Sequence, residues 1–519
     1  MKRLPLAVLL FSLHAAPATA QEARPSEGDI FGAPSDVAET PPPAPVAPTP
    51  ASADPAVEAG ESSASSTSAI RPNADPLAIG GQLYLRSIAN VREGDVFDTM
   101  RLSAPLLVDA YLDARPNDRV RGLVLARMFY DPTFDANAPR LFGSETRITR
   151  AQVDAATAAA VSTYGLRASD PRLAALDALL SGSFVANPRI ALDQLWLRFD
   201  IAHTVFVTAG KQHVKWGTAR FWNPTDFLHP VRRDPLAVFD ERTGVTMLKL
   251  HVPWEARGWN FYGLGLVDLD GPQDTVARLG LAGRAEVVVG TAEFGVDAVT
   301  RRGERSKVGA DFSAGVGPID VYGEAAVTVG GATDGWRGVA EPDPAAGPAG
   351  AVESYSMTGL RPTATVGGTW SVKYSDEDSL TLGVEYFVNP NGVSEAALYL
   401  PLMLRGAYAP FYAARHYAGA YLLLPRPGSF NNTTLFVSTL ANLSDRSLMT
   451  RLDYQVVVLT YLRVEAYAGV HYGRHGELRF AFDYAPDAFL LNLLDVSPAL
   501  TLHSPAPLVD LGVALNMSF

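Results

Sequence analysis

The 519-residue sequence contains no cysteine. A chain without thiols forms neither a disulfide framework nor a thiolate metal site, and it carries no lipid on an amino-terminal cysteine. The sequence also lacks an uninterrupted run of the roughly 18 or more apolar residues that a membrane-spanning helix requires. Its stability must therefore come from side-chain burial and backbone hydrogen bonding.

Charge is also scarce, since 19% of the residues are charged and the net charge is −12. Nucleic acid is excluded as a partner, because a phosphate backbone calls for clustered Lys and Arg. The histidines are scattered along the sequence, and none lies in a recognisable Ser or Asp motif. We therefore expect that the protein is not an enzyme and that it binds neither a cofactor nor a metal. A hydrolase would be indicated by a Ser or Asp about 2.6 to 3.2 Å from His251 or His471.

The amino terminus is typical of an exported protein. Lys2 and Arg3 precede an apolar run over residues 4–13, and small residues follow up to Ala20, which predicts a signal peptide over residues 1–20. Residues 21–75 are rich in Pro, Ala, Ser and acids and predict a disordered periplasmic leader, either a plain tail or a spacer. We expect residues 76–519 to form the folded domain.

The last segment, residues 508–519, alternates strictly between apolar and small or polar side chains. Its apolar members are Val509, Leu511, Val513, Leu515, Met517 and Phe519. Period-2 alternation suits a strand whose two faces meet different surroundings. The ending at Phe519 resembles the carboxy-terminal targeting strand of bacterial outer-membrane β-barrels, which implies recognition by the barrel-assembly machinery.

Similar alternation recurs from residue 79 onward in about 18 segments, although an ambiguous stretch over 473–507 makes 16 possible. That stretch predicts a strand over 478–484 and a short helix over 488–496. The strands of a soluble β-sandwich would also alternate between apolar and polar residues. An open sheet of so many strands, however, would expose unpaired edge strands, and only closure into a barrel removes them. Tight links alternate with long ones, as barrels with short periplasmic turns and long outer loops require. The predicted fold is all-β: a closed antiparallel transmembrane β-barrel with long outer loops, one of them partly helical.

The partly helical loop is residues 151–180, whose Ala-rich and Leu-rich halves predict two short helices. It is either a mobile surface cap or an insert in the barrel mouth. Another outer loop carries Asp268, Asp270 and Asp274, which suit either a solvated turn or a calcium ion.

The segment 211–242 is the richest in information. Trp216, Phe221, Trp222 and Phe227 are too apolar for a solvated tip, so the loop should fold back and pack. It is the third outward loop, the one that bends into the lumen in general diffusion porins. Its cations outnumber its acids, which would attract anions in a constricted lumen, unless these charges only brace the loop.

Part of this segment resembles a proteobacterial outer-membrane barrel family of unknown function. The shared pattern is Gly210-Lys211-Gln212, then Trp216-Gly217, then Asn223-Pro224 and Asp226 with a following Arg pair. Porin-like channels carry looser versions of it. The resemblance implies the fold and an outer-membrane location in a Gram-negative bacterium.

We therefore interpret the chain as an outer-membrane channel for passive diffusion of small polar solutes, anions among them. The expected constriction and solute-binding residues are Lys211, His213, Lys215, Trp216, Arg220, Trp222, Asn223, Asp226, Arg232, Arg233 and Arg242, and the expected lumen residues are Arg198, Lys249, Arg451, Asp453, Arg463 and Glu465. The alternatives are a lipid or polysaccharide transport or assembly barrel with plugging loops, and a structural surface barrel. Expected partners are outer-membrane lipid, the assembly machinery and small solutes, with the oligomeric state left open.

Overall fold

The structure is a computed structural model. It describes residues 76–96, 99–139, 147–162, 185–229, 231–237, 242–268, 278–330, 333–341, 348–375, 378–484 and 502–519. The predicted signal peptide, the predicted leader and the predicted helix over 488–496 lie outside these residues.

The described residues form 18 barrel strands, of which the second is interrupted at residues 104–105. In chain order they are β1 Leu77–Arg92, β2 Arg101–Ser103 with Leu106–Asn117, β3 Val120–Tyr130, β4 Arg189–Ile201, β5 Val205–Gln212, β6 Val245–Trp254, β7 Trp259–Asp268, β8 Arg278–Val289, β9 Ala292–Arg301, β10 Lys307–Val316, β11 Ile319–Thr328, β12 Thr363–Lys373, β13 Ser379–Val388, β14 His416–Pro425, β15 Thr433–Asn442, β16 Ser447–Leu459, β17 Leu462–Gly473 and β18 Pro507–Ser518.

Each strand pairs antiparallel with the next, and the last pairs with the first. Tyr84 of β1 faces Leu107 of β2 on one side and Asn516 of β18 on the other. The sheet is therefore a closed barrel without a free edge, which satisfies the backbone donors and acceptors of every strand. The predicted fold class is confirmed, with 18 strands and not 16.

The two faces of the wall differ in the way the sequence predicted. In β13, Leu382 and Val384 are 38% and 62% exposed, whereas Glu385 and Phe387, on the opposite face of the same strand, are 3% and 0% exposed. Exposed Leu, Val, Ile and Phe side chains cover the outside of most strands. So large an apolar surface belongs in hydrocarbon, and the sandwich alternative, which would bury these faces against each other, is wrong.

Loop lengths distinguish the two ends of the barrel. One end carries short links such as 118–119, 290–291, 317–318 and 460–461, whereas the other carries links 131–188, 213–244, 329–362, 389–415 and 474–506. The predicted alternation of tight and long links is confirmed, apart from two short links, 302–306 and 443–446, at the long-loop end. Both ends of the barrel sequence, near Leu77 and Ser518, lie at the short-link end.

The long loops carry structure of their own. Helix α1, Arg150–Ser162, matches the first of the two helices predicted in loop 151–180, and the second lies outside the described residues. Helix α2 covers Tyr399–Leu404. The predicted strand over 478–484 is only partly correct, because Phe482–Tyr484 pairs with Leu502–Ser504 in a separate hairpin and not with the barrel. No helix among the described residues is both long and apolar enough to cross a bilayer.

Three links at the long-loop end of the barrel, two of them long and one short, are joined around one carboxylate. Glu477 accepts hydrogen bonds from the Tyr417 hydroxyl at 2.5 Å, the Phe411 N–H at 2.6 Å and the Asn442 amide at 2.9 Å. Its own N–H donates to Asp445 at 2.8 Å. Glu477 thus ties loop 474–506 to loops 389–415 and 443–446.

Candidate functional site

The site is the link between β5 and β6, residues 213–244, which we call the inward loop. It packs on inward-facing side chains of strands far from it in sequence, including those of β11, β13 and β14. Since alternate residues of those strands face hydrocarbon and the loop meets only the other set, it lies inside the barrel. The predicted folding back of this loop is confirmed.

Glu385 of β13 holds the middle of the inward loop. Its carboxylate accepts the backbone N–H groups of Arg220 at 2.8 Å, Phe221 at 3.1 Å and Trp222 at 2.8 Å. It also accepts the Tyr322 hydroxyl at 2.9 Å. Consecutive N–H groups that converge on one anion form a backbone nest, and the charge strengthens each bond.

Glu324 of β11 holds the flanking residues in the same way. It accepts the Ala219 N–H at 2.5 Å, the Asn223 amide at 3.2 Å and the Thr225 hydroxyl at 2.8 Å. Gly217 makes this approach possible, because it has φ of 94° and a Cβ there would lie 2.5 Å from the Glu324 carboxylate.

Aromatic packing complements the first anchor. Trp222 is fully buried and stacks on Phe387 at 5.7 Å between ring centroids, and its indole N–H donates to the Phe411 carbonyl at 3.0 Å. Phe221 meets Tyr421 edge to face at 6.0 Å. It lies over Gly419, where a Cβ would be 2.5 Å from the Phe221 ring. The loop is therefore a packed part of the interior.

A second apolar cluster fixes the loop to the opposite arc of the wall. Trp216, Phe227 and Leu228 are buried together with Met247 of β6 and with Leu264 of β7. Between them, the two clusters attach the inward loop to strands on both sides of the barrel. Such a brace leaves the loop little freedom to swing out.

Ion pairs fix the two feet of the loop. His213 Nε2 lies 2.7 Å from buried Asp193, and Arg242 Nη1 lies 2.8 Å from Asp226. His229 contacts the other Asp226 oxygen at 3.2 Å. Burial alone would raise the pKa of Asp226, but the neighbouring His229 and Arg242 hold it below the usual value. Among the expected constriction residues, His213, Asp226 and Arg242 therefore brace the loop.

The remaining arginines of the loop contact aromatic rings or line a cavity. The Arg220 guanidinium lies 4.4 Å from the Tyr421 ring centroid, and the Arg232 guanidinium lies 5.5 Å from that of Tyr412. Arg233 shares with Arg220 the lining of a cavity between the loop and strands β15 and β16.

The expected lumen residues lie on inward-facing positions of the wall. Arg451 Nη2 contacts Asp453 at 2.6 Å, and its guanidinium stacks on Tyr467 at 4.0 Å. Glu465 accepts the Tyr84 hydroxyl at 2.8 Å, and Arg463 flanks it on the same face. Elsewhere on the wall, Arg198 lies 5.4 Å from the Trp196 ring, and Lys249 is opposite Thr208.

Four further constriction residues of the sequence interpretation take other positions. Lys211 is opposite Leu195, which is 48% exposed on the outer face, so the register places Lys211 on the face away from the lumen. Trp216 and Asn223 are buried, and Asn223 hydrogen-bonds to Ala219 and Glu324 inside the loop. Lys215 lies half-buried in the loop near its first foot.

The sequence interpretation missed Glu324 and Glu385, although they position the loop. Each is the acid in the middle of an otherwise apolar or aromatic strand, and that unusual placement was the available signal. Nothing in the sequence says that the partners of these acids are backbone N–H groups 99 to 165 residues away.

The geometry does not provide a catalytic base at His471. His471 does contact an Asp, with Nε2 at 2.8 Å from Asp510, but its Nδ1 faces the Leu478 carbonyl at 2.5 Å. Both ring nitrogens thus face acceptors, which leaves none to take a proton from a nucleophile. His251 contacts Asn260 at 2.9 Å and stacks on Tyr262.

No group of three or more potential metal ligands comes together among the described residues. Of the three aspartates that suit either a solvated turn or a calcium ion, Asp270 and Asp274 lie outside those residues, so the choice between these alternatives stays open.

Comparison with known proteins gave structural likenesses only. No protein-family model matches the chain, and no curated protein matches it, so the resemblance of the loop motif to a family of unknown function stays a prediction. Among solved structures, a mutant of Rh. blastica porin is similar at a TM-score of 0.38 and 10% identity, over 85% of this chain and 100% of that one. The outer membrane protein OpdK from Pseudomonas aeruginosa is similar at a TM-score of 0.41 and 8% identity, over 85% of this chain and 98% of that one. TM-scores and identities this low say nothing about the activity of this chain. Its assignment as a closed β-barrel rests on its own strand pairing.

Proposed function

We propose that this protein is a channel of the Gram-negative outer membrane that lets small polar solutes diffuse passively and favours anions. The observation that carries the proposal is the inward loop, which two wall carboxylates hold across the interior of a closed barrel. A loop so placed narrows a lumen without requiring chemistry at any side chain.

The preference for anions is inferred from the arginines of the inward loop other than Arg242, which braces the loop. Within the loop, Asp226 is paired with Arg242. Arg220 and Arg233 line the space between the loop and strands β15 and β16, and Arg232 lies against Tyr412 of the outer loop 389–415. Field lines concentrate in a narrow, low-dielectric passage, so a surplus of guanidinium groups there raises the local anion concentration.

Reversal potentials across planar bilayers test this proposal. The wild type should conduct and favour chloride over potassium in a salt gradient. Replacing both Arg232 and Arg233 with Ala should lower the permeability ratio of chloride to potassium by at least about twofold, because two cations leave the passage. A matched control removes two exposed cations of the outer rim, Arg302 and Arg474, and should leave the ratio unchanged.

Two results would contradict the proposal. Unchanged reversal potentials in the double variant of Arg232 and Arg233 would show that neither residue lines the passage. Absence of conductance in correctly folded wild type would favour a lipid or polysaccharide barrel with plugging loops, or a structural surface barrel.

A further inference from the structure

Two cations, one from the inward loop and one from the wall, lie against the same tight turn of that loop. The turn is closed by the Asp226 N–H, which donates to the Asn223 carbonyl at 3.2 Å. Arg232 donates to the same carbonyl from Nη1 at 3.5 Å. Lys307 of β10 places its ammonium 6.0 Å from the centroid of the Phe227 ring, at the other end of the turn. Because the ends of such a turn are less than about 7 Å apart, the two cations are neighbours.

Both cations lie toward the outer end of the barrel. Lys307 is the first residue of β10 and directly follows the link 302–306 at the long-loop end. Arg232 lies 5.5 Å from the ring centroid of Tyr412, which belongs to the outer loop 389–415. Arg232 is exposed and Lys307 is half-buried. A solute that enters from the outside therefore meets both before it has passed the inward loop.

The two positive charges are not neutralised. Within the part of the chain that the structure describes, neither Arg232 nor Lys307 forms a salt bridge. Two acids in the neighbourhood are engaged with other cations, since Asp226 is paired inside the loop and Glu304 lies 3.8 Å from Arg301. Arg232 and Arg301 both repel Lys307. The bond to the turn uses one of the five N–H donors of Arg232, and the three donors of the Lys307 ammonium face no carboxylate.

We propose that Lys307 and Arg232 form a binding site for small dianions at the outer entrance of the channel, in which Lys307 is a specificity-determining residue. One anionic oxygen would meet the Lys307 ammonium and another the Arg232 guanidinium. A dianion neutralises both cations, whereas a monoanion leaves one of them without a counter-charge. The inference rests on the proposed function for the route of the anion, and it deepens that function, because it separates dianions from chloride.

The test is block of the chloride current by sulfate in planar bilayers. Sulfate should lower the single-channel conductance at a lower concentration than methyl sulfate, which has the same tetrahedral group with one negative charge fewer. The block should also be stronger from one side of the bilayer, because both cations lie on one side of the inward loop. Equal block by the two anions would overturn the proposal.

Substitutions of Lys307 test its role directly. Lys307→Gln should raise the half-blocking concentration of sulfate at least about tenfold, since a charge-assisted hydrogen bond is lost. Lys307→Arg keeps the charge and should retain the block. The matched control is Lys373→Gln, which removes a lysine at the opposite end of the barrel, where β12 ends, and should leave the block unchanged. An unshifted barrel on heat-modifiability gels shows that each variant is folded.

A double variant tests whether one anion bridges the two cations. Arg232→Gln alone should also raise the half-blocking concentration of sulfate. If a single dianion contacts both side chains, the two substitutions are coupled, and their combined effect is smaller than the product of the single effects. A combined effect equal to that product would mean that each cation acts by itself through the general field, and it would overturn the shared site.

Calorimetric titration of sulfate into the purified protein in a non-ionic detergent distinguishes the failure of this proposal from that of the channel. The titration is done at low ionic strength, where the charges are weakly screened. Binding that Lys307→Gln removes, in a protein that does not conduct, would support the site and contradict the proposed channel. Conductance without any discrimination between sulfate and methyl sulfate would overturn the site and leave the channel standing.

Discussion

The substitution Glu385→Gln tests whether a single wall carboxylate holds the inward loop. The carboxylate accepts three consecutive backbone N–H groups and the Tyr322 hydroxyl, and these bonds divide between its two oxygens. Glutamine keeps the volume but replaces one of the oxygens with an NH₂ group, which then faces donors. At least two charge-assisted bonds are lost, each worth about 1.5 to 3 kcal/mol.

The expected loss is therefore on the order of 3 to 6 kcal/mol for the packed position of the loop relative to any displaced one. Each 1.4 kcal/mol is a factor of about ten, so displaced positions become about 100 to 20,000 times more populated. The Glu324 anchor and the Trp222 packing remain. We thus expect brief excursions of the loop and not its permanent release.

Single-channel recording in planar bilayers is the assay. Glu385→Gln should show increased open-channel noise and brief conductance steps that the wild type lacks, and Glu324→Gln added to it should raise the mean conductance. The control is Asp113→Asn, which removes another inward-facing carboxylate whose partners are Arg115 and Arg121, away from the loop. If Glu385→Gln is folded and its current trace matches that of the wild type, the anchoring argument is refuted.

Three further outcomes are expected. Trp222→Ala should lower the free energy of unfolding in detergent by about 3 to 5 kcal/mol, as measured by denaturant titration, because a fully buried indole leaves a cavity; a loss below about 1 kcal/mol would mean that the loop is not packed. Val366→Arg, on the outer face of β12, should cost about 2 to 4 kcal/mol in lipid refolding titrations, whereas Thr369→Arg, on the inner face of the same strand, should cost much less, and equal costs would contradict the assigned faces. Burial raises the pKa of Glu477 from 4.5 to about 7, so the folded loops bind more protons than the opened ones between these values, and the stability of the loop cluster falls as pH rises through that window. Trypsin cleavage at nearby Arg405, compared between wild type and Glu477→Gln at each pH, should differ at pH 8 and converge near pH 5; a constant ratio would exclude Glu477 as the cause.

Much of the candidate site could be recognised before the structure was known, and the reason is chemical. Trp222 and Phe227 are unsuited to a solvated tip, so they predict a loop that packs inside. The roles of individual charges were less predictable. Arg242 and His213 resemble Arg233 as sequence features, yet the first two are paired with buried acids and the third lines a cavity.

The face of the strand on which Lys211 lies could not be predicted from the sequence either, because it depends on how neighbouring strands are aligned. A shift of one residue moves a side chain from one face of a strand to the other. The pairing with Leu195 decided that Lys211 faces outward, and this pairing depends on the irregular backbone around Gly210, whose φ is 126°. No local pattern of charges reveals such a register.

The sequence by itself determined the closed barrel, which face of its strands points outward, and which loop folds inward. It could do so because period-2 alternation and the apolar content of a loop are local properties of the chain. Only the tertiary structure decided which acids hold that loop and which arginines share a cavity. Glu385 and Arg220 are 165 residues apart, and they meet because the barrel closes and the loop crosses it. Contacts across a lumen follow from closure and register, and both are properties of the whole fold.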